Sequence, residues 1–219
     1  MLIRLKINWK FNFLLVVVGA TLTVALPSCA DKTVDYGYGE YYVEIVTALD
    51  NHSFRLDNST IIHDSNKTAK QTFASGDRVY MYFSYGNTPS DPIKVHGASK
   101  IFSDALKTVK EETIPQQTDD PVHLVSSWIG SYYLNLYFYF EYRYKAHKIS
   151  LVIDEERVDD SEIHLYFRHD LNGDASGYPS PVYASFDLSK VLGEPQGDRN
   201  LFVHFNTTNF GNKIYTFKY

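Results

Sequence analysis

Only a few side chains in this sequence have the types and spacing that site chemistry requires. Asp170, Asn172 and Asp174 place oxygen atoms at alternate positions, as calcium-binding loops do. An EF-hand loop also needs glycine at its sixth position and glutamate at its twelfth, where this sequence has Ala175 and Pro181. Segment 170–174 is therefore predicted to be a turn between two strands, with no metal bound there.

The histidines are a second source of ligands or bases. There are eight, scattered over different predicted strands and loops: His52, His63, His96, His123, His147, His164, His169 and His204. No H-E-x-x-H pair occurs, so isolated surface histidines are the default interpretation, with a metal-binding pair assembled by the fold as the open alternative. His164 and His169 are five positions apart, so on one extended strand they point to opposite faces.

Motifs for covalent or acid–base catalysis are missing from the sequence. It has no G-x-S-x-G nucleophile elbow and no glycine-rich phosphate loop. The carboxylate pairs Asp119–Asp120, Glu155–Glu156 and Asp159–Asp160 fall in predicted turns and are interpreted as solvated charges. We therefore predict a protein that is not an enzyme and that uses no cofactor or metal.

Tyrosines on two predicted strands are the candidate binding residues. The strongest predicted strand is 132–142, where Leu134, Leu136, Phe138 and Phe140 share one face and Tyr133, Tyr137 and Tyr139 share the other. Tyr80 and Tyr82 share a face of an earlier strand. Exposed tyrosines combine flat apolar area with a hydroxyl group, so they are suited to a sugar ring or a protein partner. The alternative interpretation is that these faces are partly covered and that tyrosine serves there as a strand former.

The only cysteine, Cys29, follows a basic segment (1–10) and an apolar run (11–25). A run of about 15 apolar residues is typical of a signal peptide and short of the roughly 20 residues of a membrane span. The sequence Leu26-Pro27-Ser28-Cys29 resembles the lipobox of bacterial lipoproteins. That resemblance predicts removal of residues 1–28 and lipidation of Cys29, which would attach the protein to a membrane. An ordinary signal peptide with Cys29 as an incidental thiol is the alternative.

Composition and charge narrow the fold class and the partners. The chain has 219 residues with 18 Tyr and 14 Phe, and these aromatic residues favour strands. The net charge of −5 becomes about −8 once Arg4, Lys6 and Lys10 are removed with the signal peptide. An acidic domain has no electrostatic attraction for nucleic acid or anionic lipid, so nucleic-acid binding is not expected.

Turn signals divide the rest of the chain into an all-β protein of two domains. A polar tether (29–39) precedes about five short strands in 40–112, which suit a small OB-like β-barrel. The proline-containing segment 113–121 is the predicted linker. About seven strands with turns at sandwich-like intervals follow in 122–219, which is predicted to be an immunoglobulin-like β-sandwich. Segment 103–112 is compatible with a helix or a strand.

The order of several motifs resembles a known family. The lipobox is followed by GDRVYMYFSY, then WIGSYYLNLYF, LYFRHDLNGD and YASFDLS, an order similar to the NigD-like lipoproteins of Gram-negative anaerobes. The resemblance covers nearly all of the chain after Cys29. It implies an N-terminal OB-like domain and a C-terminal β-sandwich, and it implies no molecular activity and no site residues.

The sequence therefore predicts a non-enzymatic lipoprotein of the cell envelope that binds a protein or glycan partner through its β-domain surfaces. We expect it at the outer membrane, with the periplasmic or surface side left open. An accessory or immunity role in bacteriocin biology, resting on the family name, is the first alternative. An envelope hydrolase with a site in the cleft between the two domains is the second.

Overall fold

The computed structural model describes residues 41–86, 88 and 90–219, which belong to one compact unit. The predicted signal peptide 1–28, Cys29 and the tether 29–39 lie outside the described residues. In the described part of the chain, no helix has the length and apolar character needed to cross a membrane.

The first half of the described chain is a five-stranded antiparallel sheet with the order β3-β2-β1-β4-β5. Its strands are β1 (Tyr41–Ala48), β2 (Ser53–Arg55), β3 (Ile61–His63), β4 (Arg78–Ser84) and β5 (Lys94–Lys100). Beyond the sheet, the Ile93 N–H donates to the His63 carbonyl over 2.9 Å, which links the two edges. The sheet is therefore a partly open barrel, and the predicted OB-like architecture is confirmed.

Along β4, side chains that point into the barrel core alternate with side chains that point out of it. Val79, Met81 and Phe83 are fully buried, and they pack with Val46 and Phe54 in one apolar core. Tyr80 and Tyr82 lie on the opposite face, because successive side chains of a strand point to opposite sides. That face of β4 is directed out of the barrel core.

Segment 102–116 differs from the predicted domain division. The strands β6 (Phe102–Ala105) and β7 (Lys107–Val109) pair in parallel with strands of the second half, and a 3₁₀ helix (Glu111–Gln116) follows them. Although Ala105, Leu106 and Val109 have helical spacing, hydrogen-bonded pairing at two open sheet edges and burial of Leu106 favour strands. The chain thus joins the second half before the predicted linker at 113–121.

The second half is a β-sandwich, as predicted. One sheet has the order β14-β13-β11-β10-β7 and the other β6-β12-β9-β8. The strands are β8 (His123–Gly130), β9 (Tyr133–Tyr142), β10 (Lys148–Asp154), β11 (Glu162–Asp170), β12 (Tyr178–Asp187), β13 (Asn200–Thr207) and β14 (Gly211–Lys218). A short helix α1 (Ser189–Leu192) follows β12, and a 3₁₀ turn (Glu155–Arg157) follows β10.

The sandwich core lies between its two sheets. Leu134, Leu136 and Phe138 of β9 are fully buried there and face Leu165 and Phe167 of β11. The predicted face of the strongest strand is therefore confirmed as a core face. The other face of β9 carries Tyr133, Asn135, Tyr137 and Tyr139 along the outside of the sandwich.

One end of that outer face is covered by the barrel through Arg78, whose side chain is fully buried. Its guanidinium donates to both carboxylate oxygens of Asp57, at 2.7 and 3.1 Å. It also donates to Asn135 over 3.1 Å and to Ser185 over 3.3 Å, both in the sandwich. The Tyr133 ring lies under the guanidinium carbon, 4.0 Å from it. A satisfied buried cation therefore connects the barrel to the sandwich.

Gly130 at the end of β8 is required by this junction. A methyl group added at Gly130 would overlap the Asp57 carboxylate, which Arg78 and Asn135 hold in place. We predict that Gly130→Ala lowers the free energy of unfolding by about 1–3 kcal/mol in urea titrations, the usual cost of overpacking. Gly97→Ala is the matched control, because no atom lies within 4 Å of its added methyl group. Equal stability of the two variants would contradict the described junction.

Candidate functional site

A ladder of four tyrosines crosses from the barrel to the sandwich; we call Tyr80, Tyr183, Tyr137 and Tyr139 the tyrosine ladder. Tyr80 of β4 stacks on Tyr183 of β12 with ring centroids 4.4 Å apart. Tyr183 stacks on Tyr137 of β9, also at 4.4 Å and with the rings 8° from parallel. The hydroxyls of Tyr137 and Tyr139 form a short hydrogen bond. The sequence predicted three of these residues and missed Tyr183, which β12 places opposite Tyr137.

Within the ladder, most ring faces are covered by the neighbouring tyrosine rings. Stacking covers both faces of Tyr183 and one face of Tyr137, so these residues present edges and hydroxyls outward. Burial, followed by the hydrogen bond and charge of Tyr80, raises the pKa of Tyr183 well above its ordinary value, so its hydroxyl keeps its proton. The ladder thus supports the domain junction as well as offering a surface.

The other two predicted tyrosines lie elsewhere. Tyr133 is buried against Arg78, so it stabilises the junction. Tyr82 stacks on Tyr41 at 5.2 Å and lies 5.2 Å from the His96 ring, both within the barrel sheet. Sequence alternation placed Tyr133 on the correct face but could not show that the barrel covers that end of it.

The ladder ends at a cleft of about 570 Å³, which Tyr139 helps to line. Its walls come from the start of β8, the end of β9, the β11–β12 loop and the turn after β13. Apolar and ring groups dominate the lining, and a few polar groups lie between them. The lining residues are Pro121, His123, Tyr139, Phe140, Glu141, Leu171, Asp174, Ala175, Ser176, Pro179 and Thr208. An apolar concave site with few polar groups is the usual form of a ligand site.

Two loops are fastened together beneath this cleft by Asp174, whose side chain is fully buried. Its carboxylate accepts the Arg143 N–H over 2.8 Å and the Tyr144 N–H over 3.3 Å. Burial alone would raise the pKa of Asp174, but the backbone N–H donors of residues 143–145 outweigh it and lower that pKa to about 2. The segment predicted to be a turn is therefore a turn, and Asp174 acts in it as an anion that orders backbone.

Two histidines continue inward from Asp174. His147 Nε2 lies 3.4 Å from the Asp174 carboxylate, and His147 Nδ1 lies 2.9 Å from His169 Nε2. His169 Nδ1 lies 3.1 Å from the Asp120 carbonyl oxygen, which only accepts, so this nitrogen carries the ring proton. Nε2 of His169 consequently accepts from His147. Phe140 covers both rings, at 4.2 and 5.3 Å, and separates the pair from the cleft.

The Asp174 carboxylate predicts a specific acid dependence of stability. Because its folded-state pKa lies near 2, below the usual value, its contribution is complete above about pH 4 and is lost as the pH falls from 4 towards 2. Asp174→Asn will therefore be less stable than wild type in urea titrations at pH 7, and the difference will shrink between pH 4 and pH 2. Asp159→Asn, at an exposed position, will show no such dependence. A wild-type advantage that persists to pH 2 would contradict the assigned pKa.

A second histidine pair lies on the outer face of the other sheet. His164 Nδ1 and His204 Nε2 are 2.8 Å apart, and Tyr166 stacks on His204 at 4.5 Å. Arg168 beside them donates to Asp119 over 3.1 Å. Four histidines expected as isolated surface residues thus form two pairs, and Asp119, expected as a solvated charge, is half-buried in an ion pair. Residues distant in sequence meet because β11 and β13 are neighbours.

Neither pair completes a metal centre or a hydrolytic site within the described residues. No group of three or more His, Cys, Asp or Glu side chains in that part of the chain is placed to hold a metal ion. In the cleft, the lone pairs of Asp174 are engaged by backbone N–H groups, which leaves Glu141 as the free carboxylate of the lining. One free carboxylate does not make the acid–base pair that glycoside hydrolysis needs.

Comparison with known proteins places these elements in a family. The model of the NigD-like C-terminal beta sandwich domain matches residues 105–219, which is more than half of the chain. The matched range begins at the end of β6, in agreement with the pairing of β6 and β7 with the sandwich. No curated protein matches the chain.

Solved structures show the same fold over most of the chain. A candidate toxin-related protein from Parabacteroides distasonis has a TM-score of 0.68 and 24% identity, with 82% of this chain and 93% of that chain covered. A NigD-like immunity protein from Bacteroides caccae has a TM-score of 0.56 and 16% identity, covering 84% and 98%. A candidate lipoprotein from Bacteroides fragilis has a TM-score of 0.57 and 13% identity, covering 82% and 98%.

Proposed function

Because the chain belongs to the family with the NigD-like C-terminal β-sandwich domain, we propose that it is a lipid-anchored, non-enzymatic binding protein of the bacterial cell envelope. Its anchor is Cys29, and its ligand site is the cleft at the end of the tyrosine ladder. The outer membrane is its location in this proposal. The fold is shared with a candidate lipoprotein, a likeness that supports the anchor by analogy alone.

The observation that carries the binding proposal is the composition of the cleft. Ring faces and prolines form its walls, and His123, Glu141, Ser176 and Thr208 supply polar groups at intervals between them. Tyr139 brings a hydroxyl and joins the cleft to the ladder through Tyr137. Such a lining suits an extended ligand with alternating apolar and hydrogen-bonding groups, which a glycan or a peptide segment provides.

In-cell photocrosslinking tests the cleft. A benzoylphenylalanine placed at Thr208, an exposed residue of the lining, is expected to give discrete adducts in the cell envelope. The same group at Ser65, an exposed residue of a barrel loop, is the matched control. Ser176→Trp, which fills the cleft from another part of the lining, should abolish the adducts formed at Thr208. Identical adduct patterns at Thr208 and Ser65 would contradict a ligand site in the cleft.

An immunity or accessory role in bacteriocin biology is the second candidate. The observation that favours it is the shared fold with a protein described as a NigD-like immunity protein. Deletion of the gene is then expected to change bacteriocin sensitivity or production. Unchanged sensitivity and production would remove this candidate and leave the binding proposal in place.

A further inference from the structure

Exposed aromatic side chains are concentrated at the end of the sandwich where the cleft opens. Tyr142, Tyr144 and Tyr178 are 40%, 63% and 85% exposed, and Phe210 is 60% exposed. Tyr142 and Tyr178 are cross-strand partners at the ends of β9 and β12. We call these four residues the aromatic rim. Burying such a cluster is favourable, so a group of exposed rings marks an interaction surface.

The aromatic rim is held in place by ordered loops. Asp174 fixes the backbone of Arg143 and Tyr144, and Asn172 donates to the Ala146 carbonyl over 3.1 Å. Lys145 Nζ donates to the Gly173 carbonyl over 2.9 Å. The β9–β10 and β11–β12 loops are therefore hydrogen-bonded to each other and hold the Tyr144 ring in an exposed position. Because the loops are already ordered, binding by the rim costs little conformational entropy.

Charged residues between the rings are balanced. Arg143 and Lys145 alternate with the rim tyrosines Tyr142 and Tyr144 in the sequence. Lys148 pairs with Asp170 over 3.6 Å, and Glu141 and Asp174 supply the other two negative charges. Rings of tyrosine with flanking lysine and arginine are the combination found at membrane–water interfaces, where the rings lie at headgroup level and the basic side chains reach outward. The balanced charge favours a surface that needs no net attraction, such as zwitterionic lipid.

The direction of the strands relates the rim to the tether. Arg78 lies level with Asn135, and Tyr80 lies level with Tyr183 and its partner Tyr137, so β4 and β9 run in the same direction. β1 is antiparallel to β4 and pairs Tyr41 with Ser84. The chain therefore enters the barrel at Tyr41, at the end towards which β9 runs and the rim lies. Twelve residues from Cys29 to Tyr41 span at most about 40 Å.

We propose that the aromatic rim is a second membrane contact, which lies against the lipid surface and orients the cleft towards it. This inference rests on the proposed anchor at Cys29, since tethering supplies the local concentration that a small rim needs. Its occupant is the headgroup region of a zwitterionic bilayer. The alternative occupant is a protein partner, which the quenching experiment distinguishes from lipid.

Quenching by brominated lipid tests the contact independently of lipidation in the cell. The chain from Cys29 onward is coupled through its only thiol to a maleimide phospholipid in phosphatidylcholine vesicles with brominated acyl chains. Both tryptophan variants carry Trp128→Phe, so that the introduced Trp is the only one in the chain from Cys29 onward. Tyr178→Trp is then expected to be quenched several-fold more strongly than Ile61→Trp. Ile61 is 51% exposed and lies level with Thr47, at the opposite end of β1 from Tyr41. Quenching should be unchanged when salt is raised from 0.05 to 0.5 M or when phosphatidylglycerol is added.

Equal quenching of Tyr178→Trp and Ile61→Trp would overturn the membrane contact and would favour a protein at the rim. Quenching that is lost in high salt would also overturn it in the form proposed. Either result leaves the anchor untouched, because the vesicle linkage here is made chemically. Failure of the anchor itself is read separately, from fatty-acid labelling of the cysteine in cells.

Discussion

Replacing Arg78 by alanine will lower the free energy of unfolding by about 3–5 kcal/mol, the usual cost of breaking a buried ion pair from one side. The variant leaves Asp57 without its bidentate partner in a buried junction. It also removes the donor to the Ser185 hydroxyl and leaves that hydroxyl as the donor to Asn135 Oδ1. For a domain of this size the melting temperature should fall by roughly 6–20 °C. Urea and thermal unfolding followed by circular dichroism measure both quantities.

A matched control is available in the same sheet. Lys100 forms an ion pair with Asp77 over 2.6 Å, but its side chain is 61% exposed, so Lys100→Ala should cost less than about 1 kcal/mol. The double variant Arg78→Ala, Asp57→Ala should be less destabilised than the sum of the two single variants, since each single change leaves the other partner unpaired. An additive double variant would contradict the junction as described.

Replacing Cys29 by serine will remove the protein from the membrane. In the proposed anchor the acyl chains are attached to the cysteine sulfur and to the new N-terminus, and lipidation depends on that sulfur. Each buried methylene contributes about 0.8 kcal/mol, and two or more chains bind stably where one binds marginally. Cells fed an alkynyl fatty acid should label wild type, and Cys29→Ser should show background labelling and appear in the soluble fraction.

Ser28→Ala is the control for this experiment, because it keeps a small residue before the cysteine. It should retain both the label and the membrane fraction. Label that persists in Cys29→Ser would contradict lipidation. Loss of label in both variants would point to impaired export of the altered precursor.

Strands and their buried faces could be predicted from the sequence, because the alternation of apolar and polar residues along a strand indicates which face is buried. Leu134, Leu136 and Phe138 were expected on one face of one strand, and all three are fully buried. The prediction left segment 103–112 open between helix and strand, because helical spacing of three apolar residues says nothing about open sheet edges nearby. Those edges, on β10 and β12, decide the outcome.

The domain junction and the cleft could not be predicted from periodicity. Arg78 stands in a strand like any polar residue, and only the fold shows that Asp57, Asn135 and Ser185 converge on it. The cleft lining comes from segments up to 87 residues apart, such as Pro121 and Thr208. One signal was present: prolines at 179 and 181 within a strand pattern indicate unusual backbone surroundings, since proline cannot donate to a ladder.

The histidine pairs were missed for the same reason. His147 and His169 are 22 positions apart and meet because β10 and β11 are antiparallel neighbours with Lys148 opposite Asp170. Knowledge of the register between β10 and β11 would have predicted the pairing of His147 with His169. Without it, eight scattered histidines give no indication of which two share a hydrogen bond.

Amide hydrogen exchange is the measurement that tests the binding cleft most directly. The lipidated protein would be compared in native envelope membranes and in plain phosphatidylcholine vesicles, so that the bilayer is common to both and only envelope ligands differ. An occupied cleft predicts slower exchange in native membranes for segments 121–123, 139–142 and 171–177, with β2 and β3 of the barrel unchanged, and loss of this protection in Ser176→Trp. Identical exchange of the cleft segments in the two membranes would contradict the proposed function.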